Sequence, residues 1–236
     1  MIAISDKTTV GEVACALPGS TQVFEQYGID FCCGGDNPLI EVCREKGISL
    51  QELLDKIENT QRPLGGSPQT DWASATLSQL VDHILAKHHA YLWAELPRLD
   101  AMLTKVVEVH GEKHPDSIYP LRETFTGLRQ ELQEHMWKEE NILFPLIKTA
   151  EQSGGGGGAA GMPVGGPIQV MEMEHEAAGN ALRRMRQVTS DYQVPPDGCA
   201  TYSALFDGLK TLEADLHQHI HLENNFLFPR ALELGG

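Results

Sequence analysis

HMWKEENILFP occupies residues 135–145, and HIHLENNFLFP occupies residues 219–229. In each stretch a His is followed four residues later by a Glu, His135 by Glu139 and His219 by Glu223, and each stretch ends in Leu-Phe-Pro. A spacing of four puts both polar side chains on one face of a helix. The flanking residues show which face that is. Leu205, Leu209, Leu212, Leu216, His219, Glu223 and Phe226 step by four and three along one buried stripe, and Phe125, Leu128, Leu132, His135, Glu139, Ile142 and Leu146 do the same. The polar pair therefore sits in the core stripe of both helices. A buried carboxylate without a partner costs several kcal/mol, so a Glu placed twice in a core calls for a cation.

Two further helical stripes each supply one His. Ile168, Met171, His175, Ala178, Leu182 and Met185 form the first of these, and Asp82, Leu85, His89, Leu92, Leu96, Leu99 and Leu103 the second. His88 lies at the edge of the second stripe. Aligning His89 with His175 puts Leu96 over Leu182 and Leu99 over Met185, which selects His89 and leaves His88 as the alternative. The four helical stretches fall near 76–109, 118–150, 167–190 and 199–232, two similar pairs that predict an all-α four-helix bundle. Four His and two Glu then converge on one layer. A mixed imidazole and carboxylate set suits iron or manganese, and Glu side chains from facing helices can each bridge two ions. The expectation is a di-iron centre, with an oxo or water bridge and O2 or NO at the remaining positions. The other His residues, 110, 114, 217 and 221, enter no such pattern, and His217 and His221 read as solvated.

Composition sets the wider limits. The 236 residues carry 18 Lys plus Arg against 33 Asp plus Glu, a net charge of −15 that repels nucleic acid and anionic membrane surfaces. No apolar run reaches the ~18 residues of a membrane span, and the start has no basic or apolar leader pattern, so the chain reads as cytoplasmic. Five Cys, at 15, 32, 33, 43 and 199, are an odd set that reads as free thiols. Residues 1–60 form a small helical domain, with Ser49 and Glu52 as a capping box. Residues 61–75, rich in Pro, Gly and Ser, read as a linker, and 76–236 as the bundle, interrupted by a Gly-rich connection at 153–167. A small domain on such a linker can also pack against a second copy, which leaves a homodimer open.

HxxxE on alternate helices, with one more His on each partner helix, resembles the hemerythrin-like bundles. YGIDFCCGG at 27–35, together with KEENILFP and LENNFLFP, resembles the iron-sulfur cluster repair di-iron proteins over nearly the whole chain. The resemblance implies a cytoplasmic, non-haem di-iron protein that restores iron-sulfur clusters damaged under nitric oxide or peroxide stress. It implies four His and two bridging Glu as ligands, falling on His89, His135, His175, His219, Glu139 and Glu223.

Cys32 and Cys33 precede Gly34, Gly35 and a helix start marked by Asn37 and Pro38, where backbone amides lower a thiol pKa. They read as reactive thiolates, too close in sequence for an unstrained disulfide. The resemblance implies a role in relaying iron, sulfur or NO. Cys15, Cys43 and Cys199 read as core residues. The leading expectation is repair of damaged iron-sulfur proteins by iron donation. The same six ligands would equally serve an NO scavenger or reductase, or an O2-binding bundle.

Overall fold

The computed structural model describes residues 4–17, 19–60, 71–153 and 164–234. Most of the expected linker and of the Gly-rich connection lies outside these residues. Among the described residues every regular element is helical, and the only extended pairing is an isolated bridge between Thr9 and Pro38.

The N-terminal section holds α1 (Val10–Ala16), α2 (Ser20–Gln26), α3 (Leu39–Lys46) and α4 (Leu50–Thr60). Thr9 caps α1 with a capping box completed by Glu12, and Gly47, in the left-handed region at φ 66°, ends α3. The Ser49 hydroxyl accepts the Glu52 amide at 3.4 Å, at the start of α4 as expected. Val10, Val13, Phe24, Phe31, Leu39 and Leu53 pack into a core that also takes in Ile220 from the bundle. A section this small is marginal alone, and the bundle adds Ile220 to its core.

The bundle has four long helical rods. The first runs from α5 (Leu77–Ile84) to α6 (Ala90–His110), the second from α7 (Pro115–Lys138) to α8 (Phe144–Gln152), and the fourth from α10 (Ala200–Leu222) to α11 (Phe228–Leu234). The third is a single helix, α9 (Gly165–Val188). Each broken rod is joined by one π-helical turn: Leu85–His89, Glu139–Leu143 and Glu223–Leu227. In two of them Leu-Phe-Pro supplies the reason. A proline ring clashes with the carbonyl four residues back, so Pro145 and Pro229 disfavour ordinary helical bonding just upstream. The wider turn relieves this, and the amides of Phe144 and Phe228 reach back five residues to the carbonyls of Glu139 and Glu223. The Asn225 carbonyl, which Pro229 cannot bond, accepts the Cys15 thiol at 3.7 Å. The first π turn has no proline at the matching place, where Tyr91 stands, and nothing in the local sequence accounts for it.

Each π turn inserts one residue and rotates the buried face. In the second rod Leu143 and Ile147 are buried where the stripe predicts Ile142 and Leu146, and Ile142 is 44% exposed. In the first rod Val81 and Ile84 are buried where Asp82 and Leu85 were expected. The third rod, with no π turn, buries all six residues of its predicted stripe.

Candidate metal centre

The six side chains selected from the sequence come together at the level of the π turns. They form two overlapping groups, His89, His219, Glu139 and Glu223, and His135, His175, Glu139 and Glu223, and within each the donor atoms lie within 4.8 Å of one another. Both carboxylates belong to both groups. Glu139 Oε2 lies 3.3 Å from the Nε2 of His89 and of His135. Glu223 Oε2 lies 3.1 Å from His175 Nε2, and its Oε1 lies 3.1 Å from His219 Nε2. The Glu side chains are wholly buried.

Outer partners fix which ring nitrogen faces inward. His89 Nδ1 donates to Glu140 Oε1 at 2.9 Å, His135 Nδ1 to Glu174 Oε2 at 2.9 Å, and His175 Nδ1 to Asn224 Oδ1 at 2.8 Å. Those oxygens only accept, so each Nδ1 carries the proton and each neutral ring turns a bare Nε2 lone pair toward the carboxylates. The orientation of Asn224 is itself set, because its Nδ2 donates to the Cys32 carbonyl at 3.1 Å.

Acceptor therefore meets acceptor at His89, His135 and His175, whereas His219 Nε2 can donate to Glu223 Oε1 at 3.1 Å. The Nε2 atoms of His135 and His175 face each other at 3.1 Å. Among the described residues His89 Nε2, both oxygens of Glu139 and Glu223 Oε2 have no partner with hydrogen-bond geometry, although the ion-pair distances above are short. Positive charge has to lie among these atoms, as protons or as metal cations. With protons, burial pulls His135 down, but the charge and hydrogen bond of Glu139 outweigh it and hold the ring up at about 10. His89 is raised in the same way against its burial. Burial also works against ionised Glu139 and Glu223, yet both stay below the usual carboxylate range because imidazoles surround them. The hydrogen bond from His135, with help from Lys138, holds Glu174 at about 2. A pair of cations fits the donor set as well as the protons do and satisfies every bare lone pair at once.

His89, not His88, joins the layer. His88 is also buried, but its ring stacks on His219 with centroids 5.4 Å apart, and its Nδ1 hydrogen bonds to Asp215 at 2.9 Å. The outer partners escaped the stripe count although most adjoin a ligand in sequence: Glu140 follows Glu139, Asn224 follows Glu223, and Glu174 precedes His175. A carboxylate or amide next to a core-facing polar residue is the signal that would have found them.

The N-terminal section docks on the same layer. The Cys33 thiol donates to the His175 carbonyl at 3.5 Å, and Asn225 Nδ2 donates to the Phe31 carbonyl at 3.3 Å. Gly11 is required for this approach, since a Cβ there would lie 2.6 Å from Asn225 Oδ1. Phe31 covers His217 and His221 with centroids 6.1 and 5.4 Å away, so the two are shielded by a distant segment rather than solvated, and His221 is 3% exposed. Cys32 and Cys33 are both free, with sulfurs 3.8 Å apart. Asp30 Oδ1 accepts the amides of Cys32 and Cys33 at 3.1 and 2.9 Å and the Cys32 thiol at 3.3 Å. The expected low-pKa thiolate is not found at Cys32. Its hydrogen bond to Cys33, its burial and the Asp30 charge hold the thiol well above its ordinary range. Cys43 is buried as expected and Cys15 half-buried, whereas Cys199 is an exposed residue just ahead of α10.

Two families match the chain. Residues 6–61 match ScdA_N, a domain of unknown function, and residues 80–231 match the hemerythrin HHE cation binding domain. A protein from Escherichia coli O81 (strain ED1a), named iron-sulfur cluster repair protein YtfE, is 40% identical over 224 residues, covering 94% of this chain and 96% of that protein. Proteins of the same name from Escherichia coli O1:K1 / APEC and from Escherichia fergusonii are similar to the same extent. No helix among the described residues is long and apolar enough to cross a membrane.

Proposed function

The chain belongs to the family of iron-sulfur cluster repair proteins that join an ScdA_N domain to a hemerythrin HHE cation-binding domain, and we propose that it restores clusters damaged by nitric oxide or oxidants by donating iron. In this reading it acts in the cytoplasm, holds two non-haem irons bridged by oxo and carboxylate groups, and takes damaged iron-sulfur proteins as clients. The observation that carries it is the pair of four-donor groups sharing Glu139 and Glu223. Two irons, when bound, supply a redox-active pair of exchangeable cations.

The residues around the centre favour exchange over permanent burial. The inward Nε2 of His89 and of His135, both raised, can take a proton in place of a cation, and the Nδ1 partners of His89, His135 and His175 keep those rings aimed at the shared carboxylates. On the side of the N-terminal section, Asp30, Cys32 and Cys33 form a third donor group within 4.8 Å. They line a polar cavity of about 580 Å³ that also takes in Glu172, Glu176 and Asn224. Cys33 bonds to the backbone carbonyl of His175, so this group stands beside the helix that carries one centre residue, with thiols able to hold a cation as thiolates. Iron-loaded protein should reactivate a nitrosylated [4Fe–4S] dehydratase. The metal-free protein, or the loaded Cys32→Ser/Cys33→Ser variant, should leave it as inactive as buffer does. Equal reactivation by all three would refute iron donation.

A second reading, binding of NO or O2 at the centre, is favoured by a cavity of about 310 Å³ lined by Leu128, Leu132, Ala178 and Leu216 and reaching His135, His175 and His219. The cavity is more than roomy enough for a diatomic molecule, and its apolar side chains stand beside three of the six centre residues, with Glu131, Glu134, Lys138 and Glu174 on the rest of the wall. Nitrous oxide evolved from reduced, loaded protein given NO would mark reduction, and a stable adduct without gas would mark binding alone.

Glu174 gives a local check. Glu174→Ala removes the acceptor of His135 Nδ1–H, and loss of such an outer partner weakens a metal site by roughly 10- to 100-fold. A competition titration should show that loss with helix content unchanged. Unchanged affinity would mean that His135 is not held through Glu174.

A further inference from the structure

A second cluster of imidazoles and carboxylate lies at the far end of the bundle. His110, the last residue of α6, stands 21 residues beyond His89, about 30 Å along the helix axis. The chain then reverses through Gly111, and the amides of Lys113 and His114 bond back to the His110 carbonyl at 3.1 and 3.0 Å. This turn brings His114 over His110. Asp197 arrives from the segment between α9 and α10. Donor atoms of His110, His114 and Asp197 all lie within 4.8 Å of one another.

The state of His110 points to a ligand. It is 3% exposed, yet among the described residues neither Nδ1 nor Nε2 has a hydrogen-bond partner. Its ring packs edge-on against Tyr202 with centroids 5.2 Å apart, which fixes its position and satisfies neither nitrogen. Buried imidazoles normally have at least one partner. The other two residues face outward: His114 Nε2 bonds Asp197 Oδ1 at 2.9 Å, and Lys113 Nζ lies 3.8 Å from Asp197 Oδ2 on an exposed, flexible side chain. Neither contact uses His110.

We infer that His110, His114 and Asp197 form a binding site for a divalent transition-metal cation of the zinc type, separate from the six-residue centre. Two imidazoles and a carboxylate are a usual three-ligand set for such an ion, with remaining positions left to water. The half-exposed mouth between His114 and Asp197 gives the ion a way in, and the chain's net charge of −15 favours its approach. A cation there would tie the α6–α7 turn to the approach to α10, clipping together the bundle end away from the N-terminal section.

The test uses the full, iron-loaded chain with Zn2+ as probe. Zinc-edge anomalous diffraction should show a peak among His110, His114 and Asp197, and calorimetry should show one added equivalent bound. His114→Gln and Asp197→Asn, at partly exposed positions, should each weaken it by at least about tenfold, the loss that removal of even an outer partner causes. His110→Phe should abolish it, with circular dichroism checking the fold. Zinc should raise the melting temperature of the wild type and not of His114→Gln. No peak at millimolar zinc, zinc found only in the iron centre, or added zinc bound equally by His114→Gln and Asp197→Asn would each overturn the assignment.

Discussion

Stripping the metal from the loaded protein is expected to lower its unfolding free energy by about 4 kcal/mol for each ion at a free-ion concentration a thousandfold above its Kd. The loss should also change the pH response. In the metal-free protein, protons on His89 and His135 hold Glu139 and Glu223 together. His135 is raised from an ordinary value near 6.5 to about 10. A group raised on folding contributes fully below its unfolded value and loses that contribution as pH climbs through its folded value. Stability of the metal-free form should therefore decline between about pH 6.5 and 10. The loaded protein has cations where those protons were, so it should keep its stability on the alkaline side and weaken on acidification, as protons compete for Nε2. Urea melts at pH 6.5, 8 and 9, with and without chelator, separate the two behaviours. Identical slopes would mean that cations do not occupy the proton positions.

Replacing either shared carboxylate should affect both ions together. Glu139→Gln and Glu223→Gln keep shape and remove charge, and because each Glu belongs to both donor groups, each change strikes two positions. Each variant should bind iron at least about a hundredfold more weakly, the upper end of what loss of an outer partner causes. Metal content should fall well below one per chain. His219→Ala, by contrast, touches one group and should spare the ion held by His135 and His175. The metal-free Gln variants should still fold, since the amide can donate to a bare Nε2 and the repulsion between the carboxylates is gone, but Glu139→Gln should lose the stabilisation that its charge gives protonated His89 and His135. Iron analysis of the three variants decides the matter, and a Glu139→Gln protein that keeps one ion at full occupancy would contradict shared coordination.

The converging residues were legible in the sequence because a buried Glu is conspicuous on an apolar helical stripe. The third rod shows the method working without interference: Ile168, Met171, His175, Ala178, Leu182 and Met185 are all buried. The first and second stripes failed across a π turn, where one inserted residue shifts the phase and replaces Ile142 and Leu146 by Leu143 and Ile147, whereas Phe226 in the fourth rod is buried as expected. The prolines at 145 and 229 mark two of those turns, but a three-and-four step count has no place for an insertion. Other errors were of range. His217 and His221 are covered by Phe31, some 190 residues earlier, and no pattern along α10 could reveal that. Cys32 looked like a helix-start thiolate by local rule, while the Asp30 carboxylate and the neighbouring sulfur set its state. His110 and His114 fell outside any stripe, and only the turn at Gly111 and the arrival of Asp197 unite them.

The Asn224 amide has a thermodynamic consequence. One end receives the proton of His175 and the other gives one to the Cys32 backbone, so cation affinity and the grip of the first sixty residues are linked quantities. Reciprocity then requires that whatever pries that cap from the rods also loosens the ion beneath it, by the same factor. Any molecule that competed for the cap would thereby weaken the hold of the six residues on a cation at the moment of contact.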